Sequence, residues 1–476
     1  MKRTKIVATI GPACNTKKVL LPMVKAGLNV ARFNFSHGDY SMHAAFLEEV
    51  RQSAWEVGER ITILQDLQGP RIRIGEVDKK GIRVKKNQEV VFLYSEKSLT
   101  RLDSETIIPI HIHDLYKYLR PKERVLIEDG LIELRVKKVI GKKIICEVMV
   151  AGVIKTHKGM NFPDSFIKTD PITKKDIADL EFGVKSGVDF VAMSFVSSAQ
   201  DVRNLRRLII KYTKKHHREK DGLIKIIAKI ERKEAIKNLD AIIKEVDGVM
   251  VARGDMGVEL PFEEVPMIQK RIIAKCNYAG KPVIVATQML DSMIRNPRPT
   301  RAEVSDVANA ILDGTDAIML SGESASGKYP VQAVKAMQKI SLQVEPAELK
   351  LQQRLEPKWL RVKSKEDQLA FNAQDMAEKM GAKAIVCWSD DTDLARKIIR
   401  YKSRVPFYFV SKSDKAKQQI NLSWGSEAID GDCKSVDELL MLLKKNKKVK
   451  TKDRVIVVIG SLYGWWKKNV LEIKEV

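Results

Sequence analysis

The sequence predicts an α/β chain: an eight-stranded (β/α)8 barrel, a small all-β module inserted into it, and a second α/β unit at the C-terminal end. Three observations carry this. Short apolar runs alternate with helical patterns and number eight before residue 341. The alternation breaks once, between residues 71 and 161, into short β-branched runs separated by turns. A length of 476 residues leaves room for about three domains.

The elements follow in order. Lys5–Ile10 is a first strand, broken by Gly11-Pro12 and followed by a helical pattern to Ala26. Asn29–Phe35 is a second, followed by a helix over Tyr40–Val57, and Ile61–Leu67 is a third, ending at Gly69-Pro70. The inserted module shows strands at Glu89–Tyr94, Arg124–Ile127, Leu131–Val139 and Lys143–Val150. Buried-strand candidates return at Val188–Ser194, Leu223–Lys229, Gly248–Ala252, Pro282–Ala286 and Asp316–Leu320. Helical patterns separate them at Thr173–Lys185, Gln200–Lys215, Glu263–Ala279 and Thr300–Leu312. Alternating strands and helices need a parallel sheet, and a count of eight favours closure over an open sheet. The charged stretch Glu345–Asp367 reads as a linker. Beyond it come helix Asp367–Met380, strand Ala384–Trp388, helix Thr392–Tyr401, strand Pro406–Val410, helix Ser435–Leu443 and strand Arg454–Ile459. The expected domains are 1–70 and 162–340 for the barrel, 71–161 for the insertion, and 341–476 for the C-terminal unit.

Composition narrows the function. Lys and Arg total 85 against 61 Asp and Glu, a net charge of +24. An anionic partner follows, which charge alone leaves open between a small phosphate, a membrane surface and nucleic acid. The basic runs Lys211–Lys220 and Lys444–Lys450 lack interleaved aromatics and read as solvated faces, so no nucleic-acid partner is expected. No apolar stretch is long enough for a membrane span or a secretion signal, so a cytoplasmic protein with no membrane partner is expected. The five cysteines are scattered, which fits buried thiols rather than disulfides or zinc. His111 and His113 share one face of an extended segment but lack further ligands, and His216-His217 ends a lysine-rich helix; both pairs read as surface histidines.

In such a barrel, reactive groups gather at the C-terminal strand ends. There the sequence places Arg32, Asn34, Ser36 and His37; Asp66, with Arg71 and Arg73 beyond; Lys229 and Glu231; Arg253, Gly254 and Asp255; Thr287 and Gln288; and Ser321 and Glu323. Lys229 and Glu231, two apart, face the same way. Each alone has a bland reading, an ion pair or a helix cap. Together they point to a divalent cation and an anionic substrate, because Mg²⁺ commonly takes one or two carboxylates and leaves room for phosphate oxygens. A P-loop signature is absent.

Several long motifs resemble the pyruvate kinase family: ARFNFSHG (Ala31–Gly38), GPRIRIG (Gly69–Gly75), KGMNFP (Lys158–Pro163), IIAKIERKEAI (Ile226–Ile236), MVARGDMGVE (Met250–Glu259) and the run Ala286–Pro330. The resemblance is fullest over residues 1–340. It implies a TIM barrel carrying an inserted small β-barrel domain as a lid, and a reaction of phosphoenolpyruvate with ADP giving pyruvate and ATP, in a homotetramer. It implies that Glu231 and Asp255 hold Mg²⁺, or Mn²⁺ in its place. Lys229, Arg73 and Thr287 are implied in catalysis, and Arg32, Gly254, Asp255 and Thr287 with Lys229 in substrate binding. Asn34, Phe35, Ser36, His37, Arg73 and Lys158 are implied at the nucleotide. Asn34, Ser36, Asp66 and the Leu67 carbonyl match the family's monovalent-cation ligands. Arg71 stands where K⁺-dependent relatives carry Glu, so its fixed cation is expected to replace K⁺. Two rivals remain at this stage: a Mg²⁺-dependent barrel lyase acting on pyruvate-like enolates, which ADP-dependent turnover would distinguish, and a polyanion-binding protein, which steep salt dependence would distinguish.

The C-terminal effector loop of allosteric relatives is replaced by Trp388–Arg396, which carries Asp390, Asp391 and Asp393. Activation by sugar phosphates is therefore not expected. The last loop, Gly460–Lys468, reads GSLYGWWKK rather than a glycine-rich loop, and its lysines keep another anion open.

Overall fold

The computed structural model describes residues 2–95, 101–102, 105–165, 167, 169–354, 364–460 and 469–476. The last loop expected at an effector site, 461–468, lies outside the described residues.

Eight parallel strands close into a barrel in chain order: Lys5–Thr9, Val30–Asn34, Thr62–Asp66, Phe190–Met193, Lys225–Ile230, Gly248–Ala252, Val283–Ala286 and Ala317–Leu320, the last pairing with the first. Side chains alternate across each strand. Ile226, Ala228 and Ile230 pack outward under the helices. Val7, Val30, Leu64, Phe190, Ile227, Met250, Ile284 and Ala317 fill the interior, together with Leu422 from the C-terminal unit. Each interior residue is followed two positions on by another facing the same axis, so Arg32, Asp66 and Lys229 rise directly above this apolar plug. The N-caps Thr173, Ser198 and Thr300 each begin a helix with a reciprocal capping box.

The insertion has its own core, with Phe92, Ile108, Val125, Leu134 and Cys146 among its buried members. It is a curled seven-stranded sheet running from Met160–Asn161 to Arg101–Leu102, with a separate two-stranded pair, rather than one continuously paired barrel among the described residues. Single bridges from Arg73 to Gly159 and from Ile74 to Ile110 bring its two sides together.

The C-terminal unit holds parallel strands Ser426–Ile429, Phe407–Val410, Ala384–Trp388 and Arg454–Ile459, with Val470–Glu475 antiparallel at the edge. It docks on the N-terminal end of the barrel: Lys5 Nζ bonds the Ser426 carbonyl at 2.6 Å, Lys225 Nζ the Thr392 hydroxyl at 2.6 Å, and Lys415 Nζ Asp189 at 3.0 Å. The stretch expected as a linker from Glu345 is instead helical as far as Arg354, within helix Pro330–Arg354. The contact that ties this stretch to the barrel is tertiary: the Glu345 carboxylate is buried and accepts the N–H groups of Arg3 and Thr4. His216, expected in solvent, pairs with Glu181 at 2.9 Å, while His113 is exposed beside Asp114. All five cysteines are free and buried. Among the described residues no helix is long and apolar enough to cross a membrane.

Candidate active site

On the second, third and fifth strands the interior face turns from apolar to ionic within one residue pair. Above Val30 comes Arg32, whose Nε donates to Asp66 Oδ2 at 2.8 Å and whose Nη1 donates to Thr9 Oγ1 at 2.7 Å. Above Ile227 comes Lys229, with Nζ 2.8 Å from Ser194 Oγ, 2.9 Å from Glu231 Oε1 and 3.5 Å from Asp66 Oδ1. Glu231 is fully buried, and its other oxygen accepts the Phe195 N–H at 2.7 Å.

The charges tune one another. Burial alone would drive the proton from Lys229, but Asp66, Glu231 and Asp255 outweigh it and raise its pKa, so the ammonium persists. Burial would raise Asp66, yet Lys229 and Arg32 hold it below the ordinary carboxylate range. Glu231 goes the other way: burial, joined by the nearby Asp255 charge, lifts it against the pull of Lys229. Burial and the cations of Arg73, Arg32 and Arg71 lower His37, which keeps its imidazole neutral at pH 7.

Asp255 sits in the short helix Arg253–Glu259 that follows the sixth strand, with Arg71 Nη2 3.7 Å away. The Gly254 N–H donates to Thr287 Oγ1 at 2.7 Å, and that hydroxyl donates to the Ala286 carbonyl at 2.6 Å. Thr287 and Gln288 both have left-handed backbones, φ +70° and +55°, where non-glycine residues are strained. Arg253 braces this turn by donating to the Thr287 carbonyl at 2.8 Å and to Asp306 at 2.6 Å.

The other expected residues fall on the same side. Asn34 Oδ1 accepts the Ser36 N–H at 3.1 Å, and the Leu67 carbonyl accepts Ser194 Oγ at 2.7 Å. Arg73 Nη1 donates to the His157 carbonyl at 2.9 Å, and Lys158 pairs with Glu128. The Phe35 ring is buried against His43, with centroids 4.1 Å apart, and its carbonyl accepts Lys175 Nζ. Arg71, expected to stand in for K⁺, bonds Asp129 of the insertion at 2.7 Å. A cleft of about 390 Å³ between insertion and barrel is lined by Arg71, Asn161, Phe195, Arg232 and Glu259.

Sequence reading passed over Ser194 and Phe195, which close the fourth strand and hold Lys229 and Glu231. The signal was there, since that strand also ends in a polar residue. Their importance lies in pairing across the barrel, Met193 beside Ala228, which a single strand does not reveal.

Glu231 and Asp255 suit a divalent ion. Glu231 is raised chiefly by its burial and further by the nearby Asp255 charge, two anions that a divalent cation would neutralise together. Among the described residues no group of three or more His, Cys, Asp or Glu is arranged to hold a metal, so the remaining ligands would come from substrate and water.

A barrel mouth of this kind, cationic at its rim and carboxylate-lined within, suits an enzyme acting on a small anionic substrate. Family models agree: the pyruvate kinase barrel domain matches residues 1–334 and the pyruvate kinase alpha/beta domain residues 367–474. The pyruvate kinase of Clostridium perfringens is 42% identical, covering 100% of both chains. That of Clostridium acetobutylicum is 41% identical over 92% of this chain and 91% of its own. A solved pyruvate kinase from Cryptosporidium parvum superposes with a TM-score of 0.91 at 33% identity, covering 100% of this chain and 96% of that one. The chain belongs to the pyruvate kinase family.

Proposed function

We propose that this chain transfers the phosphoryl group of phosphoenolpyruvate to ADP, giving pyruvate and ATP, with Glu231 and Asp255 holding Mg²⁺. The observation that carries the reading is the buried Lys229 ammonium, held 2.9 Å from Glu231 and 3.5 Å from Asp66 at the barrel mouth. Phosphoryl transfer needs positioning and charge neutralisation more than covalent catalysis. Lys229, kept protonated by three carboxylates, is a fixed cation for the group in transit. Arg32 and Arg73 hold phosphate oxygens. When bound, the divalent ion supplies charge neutralisation for the phosphoryl oxygens and the enolate oxygen. Rotation of the Thr287 hydroxyl would free the Gly254 N–H, and both could then hold the substrate carboxylate. The P–O bond to the enol oxygen breaks, ADP gains the phosphoryl group, and the enolate takes a proton at carbon.

Asn34, Phe35, Ser36, His37, Arg73 and Lys158 contact the nucleotide in this reading, and the charge of Arg71 removes the need for K⁺. A homotetramer accounts for exposed Phe262, for exposed Met267 on the helix Val265–Ala279, and for the strand Val470–Glu475, which among the described residues pairs on one side only. The test is pyruvate formation from phosphoenolpyruvate, with ADP and Mg²⁺ each withheld in turn. Pyruvate formed at full rate without ADP would instead mark a phosphatase or lyase.

A further inference from the structure

The acidic tip of the insertion reaches back into the mouth. Glu128 pairs with Lys158 Nζ, and Asp129 Oδ1 lies 2.7 Å from Arg71 Nη2. The tip is built for this. Glu128, Asp129 and Gly130 all have left-handed backbones, φ +55°, +55° and +89°, and the Glu128 N–H is pinned to the Gly159 carbonyl at 3.0 Å. Two non-glycine residues in succession in that region are unusual and carry strain. Arg71 is equally constrained: a Cβ on Gly159 would come within 2.6 Å of its Nε, so the guanidinium lies flat against bare backbone.

We propose that Glu128 and Asp129 stand in for the substrates' anionic groups, holding Lys158 and Arg71 until a phosphate takes those cations from them. Asp129 is thus a positioning residue for Arg71, and docking of the tip competes with phosphate binding. The proposal rests on the reading of this mouth as a phosphate site. Its physical basis is the exposure of the contacts. The Asp129 side chain is 66% exposed and that of Arg71 27%, so the pair is weak and easily displaced. A phosphate brings more charge than a carboxylate and a bidentate match to a guanidinium, so it wins the exchange.

The test is calorimetric titration of the full chain with inorganic pyrophosphate in the absence of divalent metal. Asn is at home in the left-handed region, so Asp129→Asn keeps the turn, as does the isosteric Glu128→Gln. Each is expected to tighten pyrophosphate about two- to fivefold, the worth of one exposed ion pair, with the gain shrinking at high salt. Asp129→Glu should restore the wild-type affinity, which a merely structural role for the turn would not require. Unchanged or weaker binding in both neutral variants overturns the proposal. Arg73→Ala separates the two failures. If it weakens pyrophosphate while Asp129→Asn and Glu128→Gln change nothing, only the competition is wrong. If it too changes nothing, the phosphate site is wrong and the proposal falls with it.

Discussion

Lys229 Nζ lies 2.9 Å from Glu231 Oε1, both on the interior face at the end of the fifth barrel strand. The pair is buried, so each charge depends on the other. Lys229→Met should lower kcat by about 10³-fold or more, since a preorganised charge in a dry site is lost. It should also lower the melting temperature, because Glu231 loses its counter-ion. Steady-state assays beside thermal melts check both, and near-normal turnover would remove Lys229 from the chemistry.

Glu231→Gln and Asp255→Asn should each raise the Mg²⁺ concentration giving half-maximal rate by at least about tenfold, since even outer-shell partners of metal ligands are worth that much. Superimposable Mg²⁺ titrations of variants and wild type would contradict this site.

Exchanging Na⁺ for K⁺ at constant ionic strength should change the rate little, because Arg71 already places a cation 3.7 Å from Asp255. Arg71→Glu should create a K⁺ requirement. A strong K⁺ activation of the wild-type enzyme would show that an arginine at this position does not serve.

Millimolar fructose 1,6-bisphosphate, ribose 5-phosphate or glucose 6-phosphate should leave the phosphoenolpyruvate saturation curve where it is. The two hydroxyls of the stretch Trp388–Arg396 are committed: Ser389 is buried and accepts the Asp391 N–H at 3.1 Å, and the Thr392 hydroxyl accepts Lys225 Nζ at 2.6 Å. A clear fall in the half-saturating concentration with any of the three would be the contrary result.

Lys5 gives a pH signature. Burial lowers its pKa from 10.5 to about 8 against the pull of Glu427, Glu345, Glu59 and Asp316. Between those values the unfolded chain holds a proton the folded chain has released, so stability rises with pH through the window. The shift corresponds to a penalty on the order of 3 kcal/mol, fully present below pH 8. Lys5→Met should therefore melt higher relative to wild type at pH 7 than at pH 10.5, its lead reduced throughout by the lost bond to the buried Ser426 carbonyl. A lead that stays constant across the window would show that the ammonium is not the cause.

The barrel was readable because each strand is a run of β-branched and apolar residues closed by a polar mouth, and Lys225–Ile230 and Gly248–Ala252 differ little from expectation. The strand Val470–Glu475 escaped because Val-Leu-Glu-Ile-Lys-Glu alternates, as a half-exposed edge strand does, and resembles a charged tail. Helix Asp414–Ile420 carries only Ala416 and Ile420 as apolar residues, too few for a period. The site residues Lys229, Glu231 and Asp255 stood out because charge at a strand mouth has no packing reason to be there. The contact of Arg71 with Asp129 was invisible, because nothing local links residues 58 positions apart.

Leu422 belongs by sequence to the C-terminal unit, yet it is packed with Val7, Phe190, Ile227 and Met250 inside the barrel. It is a cork. The barrel takes part of its floor from across the boundary expected near residue 341. A barrel cut free there would keep its packed interior but expose the bottom layer of that plug to water. Any exchange of C-terminal domains between relatives must carry a matching cork with it.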